Sequence, residues 1–205
     1  MVFRKLFLAS VAANTLNYIL PLLPAKPKNC KVAFIPTAAD PYAATRFVDK
    51  DRRKFAEIGF NVIDIDLKGK NEKQLLEKLK NADVIFVSGG NTFYLLEKAR
   101  QSGFDKTAKS LVKKGVIYAG SSAGSVLAGP TIEPIKLLDD PSKARLKSCK
   151  SLGLVDFIVI PHFDSEEYGP KCKKILSEYK GKFKLLPLKD SQAVIVEGSS
   201  VKVVG

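Results

Sequence analysis

Short apolar runs alternate with amphipathic stretches along this sequence. The runs at Lys31–Ile35, Val84–Ser88 and Val116–Ala119 are apolar almost throughout, without the alternation of a strand that has one face in water. Such strands are typical of parallel sheets that helices cover on both faces. The sequence therefore predicts an α/β fold, in which a mostly parallel sheet is sandwiched by helices.

The same reading gives the bounds of the elements. Predicted strands are Lys5–Ala9, Lys31–Ile35, Asn61–Asp64, Val84–Ser88, Val116–Ala119, Asp156–Ile160, Ala193–Glu197 and Val201–Val204. Predicted helices are Ala43–Ile58, Asn71–Lys80, Thr92–Ala99, Phe104–Lys113 and Cys172–Tyr179. Internal repeats and breaks in composition are absent from the sequence, so we expect a single domain over residues 1–205.

The amino-terminal segment resembles a signal peptide, because Arg4 and Lys5 precede an apolar stretch. Asn14, Thr15 and Asn17 interrupt that stretch, and it contains no uncharged apolar run of about 18 residues, so a membrane span is not expected. We expect Leu6–Ala13 to contribute a buried strand of the mature protein.

The charge raises the question of a nucleic-acid partner. The chain has 34 Lys and Arg against 21 Asp and Glu, a net charge of +13. Most of these cations are lysines spread along the chain among acidic residues, whereas arginine is the better reader of phosphates and guanine edges. We expect a solvated lysine surface and no specific nucleic-acid partner.

The three cysteines, Cys30, Cys149 and Cys172, are scattered and form no C-x-x-C pair. This spacing favours neither a disulfide framework nor a zinc site. We therefore expect no metal, no cofactor and a reducing, cytoplasmic location.

A strand predicted at Val116–Ala119 leads into Gly120-Ser121-Ser122-Ala123-Gly124, which has the pattern G-x-S-x-G. A nucleophile elbow needs this pattern, because its serine occupies a strained turn that the flanking glycines allow to close. Ser122 would be the nucleophile, and the N–H of Ala123 would face a developing oxyanion. The alternative is a plain Gly/Ser turn or a phosphate-binding loop, although the Walker and G-x-G-x-x-G patterns are absent.

Two further strand ends carry polar or glycine residues. His162, the only histidine of the chain, follows the strand predicted at Asp156–Ile160, and a nucleophilic serine needs such a base. Gly90 lies in the turn after Val84–Ser88, where a glycine lets a backbone N–H approach a ligand and complete an oxyanion hole. A structural loop histidine and a plain helix-capping turn are the alternatives.

Three blocks together resemble the peptidase E (aspartyl dipeptidase) family. They are Ser88-Gly89-Gly90-Asn91-Thr92, the Gly120–Gly124 elbow with Ala128-Gly129-Pro130, and Ile160-Pro161-His162-Phe163. The resemblance covers most of the chain in the same order. It implies a fold similar to flavodoxin-like proteins and class I glutamine amidotransferases. It also implies a serine peptidase with Ser122 as nucleophile, His162 as base, and Gly90 and Ala123 as oxyanion donors.

The resemblance also suggests the acid and the substrate. The family has an acidic residue before a late strand, which here matches Asp190; Glu197 and the pair Asp139 and Asp140 are alternatives. Family substrates are dipeptides with an amino-terminal aspartate. The family's substrate-binding arginine is replaced here by lysines, of which Lys171 is our candidate, and this departure leaves aspartyl specificity open.

The expected function is therefore hydrolysis of short peptides, with a small peptide as the only partner, and a chain that is a monomer or homodimer. The alternatives are a non-catalytic protein that binds a small anion or peptide on the same fold, and a hydrolase that resembles the cyanophycinases.

Overall fold

The structure is a computed structural model that describes residues 4–205. Its strands are β1 (Lys5–Ala9), β2 (Lys31–Ile35), β3 (Asn61–Asp64), β4 (Val84–Val87), β5 (Ile117–Ser121), β6 (Ile158–Ile160), β7 (Leu185–Pro187), β8 (Ala193–Glu197) and β9 (Ser200–Val204). Its α-helices are α1 (Ala12–Thr15), α2 (Arg46–Ile58), α3 (Glu72–Leu79), α4 (Thr92–Ser102), α5 (Phe104–Lys113), α6 (Ala123–Leu127) and α7 (Gly169–Glu178).

Seven of these strands form one sheet in the order β3-β2-β4-β5-β1-β8-β9. The first five strands in this order are parallel to one another, and β8 and β9 join as an antiparallel edge. The mostly parallel α/β sheet predicted from the sequence is confirmed.

Apolar residues pack on both faces of this sheet. On β1, Leu6 and Leu8 belong to one buried cluster, whereas Phe7 and Ala9 belong to the other. Successive side chains of a strand point to opposite faces, so a strand buried on both faces has to be apolar at every position. The continuous apolar runs of the sequence are therefore explained by helices on both sides of the sheet.

Two features differ from the predicted pattern. The strand predicted at Asp156–Ile160 is shorter, starting at Ile158, and it does not join the large sheet. It pairs in parallel with β7, a three-residue strand ending at Pro187 that the sequence pattern did not predict. The amino-terminal strand has the predicted bounds, Lys5–Ala9, and the chain then turns into α1.

The carboxyl ends of the parallel strands meet along one edge of the sheet. In the pairing register, Ala9 lies opposite Ser121 and Val87 lies opposite Gly120. The turns after β1, β4 and β5 are therefore neighbours in space. In open α/β sheets this edge is where ligands bind.

Candidate active site

The turn after β5 has a strained backbone at Ser122. Ser122 has φ 49° and ψ −111°, a conformation that L-residues rarely adopt. A Cβ on Gly120 would lie 2.5 Å from the Gly124 carbonyl carbon, and a Cβ on Gly124 would lie 2.0 Å from the Val87 oxygen. The two glycines are therefore required by the close approach of the turn, α6 and β4.

Ser122, His162 and Asp190 form a continuous chain of hydrogen bonds. The Ser122 Oγ lies 2.9 Å from His162 Nε2, and His162 Nδ1 lies 2.7 Å from Asp190 Oδ1. The bond from His162 holds the pKa of the Asp190 carboxyl below its usual value; partial burial opposes this effect and a bond from Ser10 adds to it. An ionised acid here fixes the tautomer that leaves Nε2 free to accept the serine proton.

The other acids named from the sequence form no hydrogen bond with His162. Glu197 is at the far end of β8, where it lies opposite Lys5 in the pairing of β8 with β1. Asp140 accepts hydrogen bonds from Ser142, both from its N–H and from its hydroxyl. Asp139 does enter the site, but its Oδ2 accepts the N–H of Thr92 at 2.8 Å and the Thr92 hydroxyl, and burial raises its pKa. Of the four candidate acids, only Asp190 lies within hydrogen-bond distance of His162.

Two backbone N–H groups adjoin the nucleophile. Gly90 has φ 141°, and a Cβ there would lie 2.1 Å from the Ala38 oxygen, so this position requires glycine. Ala123 is the first residue of α6, where helical N–H groups have no partner within the helix. Gly90, Ala123 and Ser122 all line the same cavity. Both N–H groups therefore stay the predicted donors of an oxyanion hole.

The cavity has a volume of about 550 Å³ and contains all three residues of the hydrogen-bonded chain. Its walls are partly aromatic, with Tyr42, Phe47 and Tyr168, and Lys50 is the cation among its lining residues. Lys171 is exposed and does not line it. Its Nζ lies 5.5 Å from the centre of the Tyr168 ring, and that ring in turn lies 5.3 Å from the His162 ring. Lys171 is therefore one side chain removed from the base.

Asp51 on α2 is a buried acid that the sequence analysis did not single out. Only 3% of its surface is exposed, and it accepts hydrogen bonds from the Ala13 N–H at 3.0 Å and the Ser88 hydroxyl at 3.3 Å. Burial raises the pKa of this carboxyl to about 6, although the hydrogen bonds it accepts oppose the rise. The available signal was its spacing, because Asp51 lies four residues from both Phe47 and Phe55 on the apolar face of the predicted helix.

Ser10 was also missed. It follows β1 directly and is fully buried. Its Oγ lies 2.8 Å from the backbone nitrogen of His162 and 2.8 Å from Asp190 Oδ1. The signal was a polar residue at the carboxyl end of a predicted central strand, the same position that drew attention to His162.

Residues 4–205 contain no cluster of three or more His, Cys, Asp or Glu that could hold a metal ion, and Cys30, Cys149 and Cys172 are free. Nor does any helix in that range have the length and apolar character needed to cross a membrane.

Comparisons with known proteins identify the family of this chain. The model of peptidase family S51 matches residues 6–204. An uncharacterized peptidase of Listeria monocytogenes serovar 1/2a is 32% identical over 202 residues, which are 97% of each chain. Peptidase E of Nostoc sp. is 29% identical over 182 residues, covering 85% of this chain and 72% of that protein. A crystal structure of a candidate peptidase E from Listeria monocytogenes EGD-e superposes with a TM-score of 0.92 at 28% identity, covering 98% of each chain. The chain therefore belongs to peptidase family S51 and is a peptidase.

Proposed function

We propose that this protein is a serine peptidase that cleaves dipeptides or short peptides through an acyl-enzyme. The observation that carries the proposal is the chain of hydrogen bonds from Ser122 through His162 to Asp190, with bond lengths of 2.9 and 2.7 Å. A serine hydroxyl becomes a useful nucleophile only when a base is positioned to take its proton. His162 has that position, and its second nitrogen is held by an acid.

The reaction has two halves. In the first half, the Ser122 Oγ bonds to the substrate's carbonyl carbon as the hydroxyl proton passes to His162 Nε2. The carbonyl oxygen becomes an oxyanion, which accepts hydrogen bonds from the N–H groups of Gly90 and Ala123. The C–N bond then breaks, and His162 returns the proton to the leaving amine. In the second half, water repeats the sequence on the ester, with His162 as its base, and releases the free acid and Ser122.

We propose that the preferred substrates carry an acidic residue at the amino terminus. Lys50 lines the cavity and Lys171 stands behind Tyr168, and these are the two cations that would attract a substrate carboxylate. Asp51, Asp139 and Asp190 line the same cavity and oppose that attraction where they are ionised. Lysine offers a point charge rather than the bidentate fork of arginine, so discrimination between aspartate and glutamate should be weaker than an arginine would give. The resemblance of the sequence motifs to the aspartyl dipeptidases points to the same substrate class.

The test is a panel of Asp-X, Glu-X, β-aspartyl and Ala-X dipeptides, supplied to the wild type and to Ser122→Ala in parallel. We expect release of free amino acids from Asp-X that Ser122→Ala lacks. A fluorophosphonate probe gives an independent readout, because it labels an activated serine whatever the substrate. If the wild type is neither labelled nor active on any peptide of the panel, the proposal is wrong.

A further inference from the structure

Ser10 is in contact with all three residues of the proposed catalytic chain. Its backbone oxygen accepts the Ser122 N–H at 3.1 Å. Its Oγ accepts the His162 N–H at 2.8 Å and lies 2.8 Å from Asp190 Oδ1. Ser10 itself is fully buried at the end of β1, between the strand that precedes Ser122 and the strand that follows Asp190.

The three residues are attached to different parts of the fold. Ser122 and Asp190 adjoin β5 and β8 of the large sheet, whereas His162 follows β6 in the separate two-stranded sheet. No ladder of strand hydrogen bonds within residues 4–205 joins the two sheets. The position of the base relative to the nucleophile therefore depends on individual contacts such as the one between the His162 N–H and Ser10.

The backbone of His162 increases this dependence. Its φ is 62°, in the left-handed region, which a residue with a Cβ occupies only when the surroundings hold it there. The acceptor of its N–H is the Ser10 hydroxyl. This bond therefore helps to hold the conformation that directs the imidazole at Ser122.

The protons of this cluster are fully assigned by its chemistry. An ionised Asp190 is an acceptor only, so the hydroxyl proton of Ser10 is donated to Asp190 Oδ1. A lone pair of Ser10 Oγ is then free for the His162 N–H, and Oδ1 accepts from both Ser10 and His162 Nδ1. One hydroxyl thus orients the acid and the base together.

We propose that Ser10 is a positioning residue, a fourth member of the catalytic array that holds His162 and Asp190 in register with Ser122. It lines the same cavity as Ser122, His162 and Asp190, and the role proposed for it is exercised through those three residues. The inference rests on the serine-peptidase function proposed above, and its test is chosen to give an answer if that function fails.

The experiment compares the wild type, Ser10→Ala and Ser151→Ala. Ser151 is a matched control, because its hydroxyl is also buried and donates to a backbone oxygen, that of Leu127, away from the cavity. Two quantities are measured for each protein. The first is the fluorophosphonate labelling rate of Ser122, and the second is the hydrogen-exchange rate of the downfield Nδ1 proton, which NMR assigns without ambiguity because the chain has one histidine.

We expect Ser10→Ala to slow labelling by roughly ten- to a hundredfold, the loss associated with one hydrogen bond to a charged group. We also expect its Nδ1 proton to exchange at least about tenfold faster, since the acid is no longer held. Ser151→Ala should match the wild type in both. Wild-type labelling and Nδ1 exchange that persist within about twofold in Ser10→Ala would overturn the inference. If the wild type is not labelled, the peptidase proposal fails, and the NMR comparison still decides the role of Ser10.

Discussion

Replacing Asp190 tests the assignment of the triad acid, and the structure predicts that two replacements differ. In the wild type, His162 Nδ1 and Ser10 Oγ both donate to the same oxygen, Oδ1. The carbonyl oxygen of an asparagine in the same orientation accepts both, and Asp190→Asn then keeps the imidazole tautomer and loses only the negative charge. In the flipped orientation the amide NH2 donates to Nδ1 and fixes the tautomer that cannot take the serine proton, which makes the loss larger. Asp190→Ala loses the charge and the acceptor, and the imidazole is then free to turn away from Ser122.

The size of the charge effect follows from the geometry. Two unit charges about 4 Å apart interact by about 4 kcal/mol at an effective permittivity of 20. The Asp190 side chain is 36% exposed, so solvent screening reduces that figure. Taking about 2 to 4 kcal/mol for the stabilisation of the imidazolium, we expect Asp190→Asn to slow the reaction by roughly thirty- to a thousandfold. Asp190→Ala should lose roughly another tenfold with its hydrogen bonds.

The assay is the rate of fluorophosphonate labelling of Ser122, followed at pH 8, with kcat/KM for the best dipeptide as a second measure. Glu197→Gln is the matched control, because this carboxylate lies at the opposite end of β8, and its rate should equal that of the wild type. Asp139→Asn tests the competing assignment, in which Asp139 is the acid of the triad. If Asp190→Ala is labelled within about threefold of the wild-type rate, or if Asp139→Asn alone abolishes labelling, Asp190 is not the acid.

Three further outcomes are expected. Gly90→Ala should slow labelling by at least about a hundredfold, because a Cβ 2.1 Å from the Ala38 oxygen displaces the oxyanion turn; unchanged labelling with a native circular dichroism spectrum would contradict this. Asp51→Asn should remove a pH dependence of stability, because the folded-state pKa of about 6 exceeds the ordinary aspartate value of 3.8 and the native state binds the proton more tightly. The wild type then loses about 3 kcal/mol as pH rises through this window, measured as the difference between the two urea-unfolding curves. Lys171→Gln and Lys50→Gln should each raise KM for Asp-X several-fold and leave KM for Ala-X unchanged; an equal rise for both substrates would rule out a role in recognising the acidic side chain.

The sequence was most informative where a feature is local. A strand followed by Gly-x-Ser-x-Gly predicts the elbow at Ser122, because the backbone strain and the small neighbours that relieve it lie within five residues. The turn at Gly90 could also be predicted from its own residues. The reason that it requires glycine could not, because the oxygen that a Cβ would strike belongs to Ala38, about fifty residues away.

The missed features depend on distant contacts. Ser10 meets Asp190 across 180 residues, and Asp51 meets Ser88 across 37, so neither partner can be inferred from spacing. Strand β7 has three residues and includes Pro187, which gives it neither the length nor the composition of a recognisable strand. It forms because β6 lies beside it, and tertiary pairing of this kind overrides local preference.

The position of β1 in the sheet determines when the fold can be completed during synthesis. This strand is near the amino terminus, yet its neighbours are β5 and β8, which end at Ser121 and Glu197. During synthesis, β1 can pair with β5 only after Ser121 has been made and with β8 only after Glu197 has been made. Such non-local pairing is slow and leaves an unpaired edge open to aggregation. Asp190, the acid of the proposed triad, lies just before β8 in the chain. A nascent chain therefore completes the hydrogen bonds from Ser122 to Asp190 only when β8 pairs with β1 and completes the sheet around it.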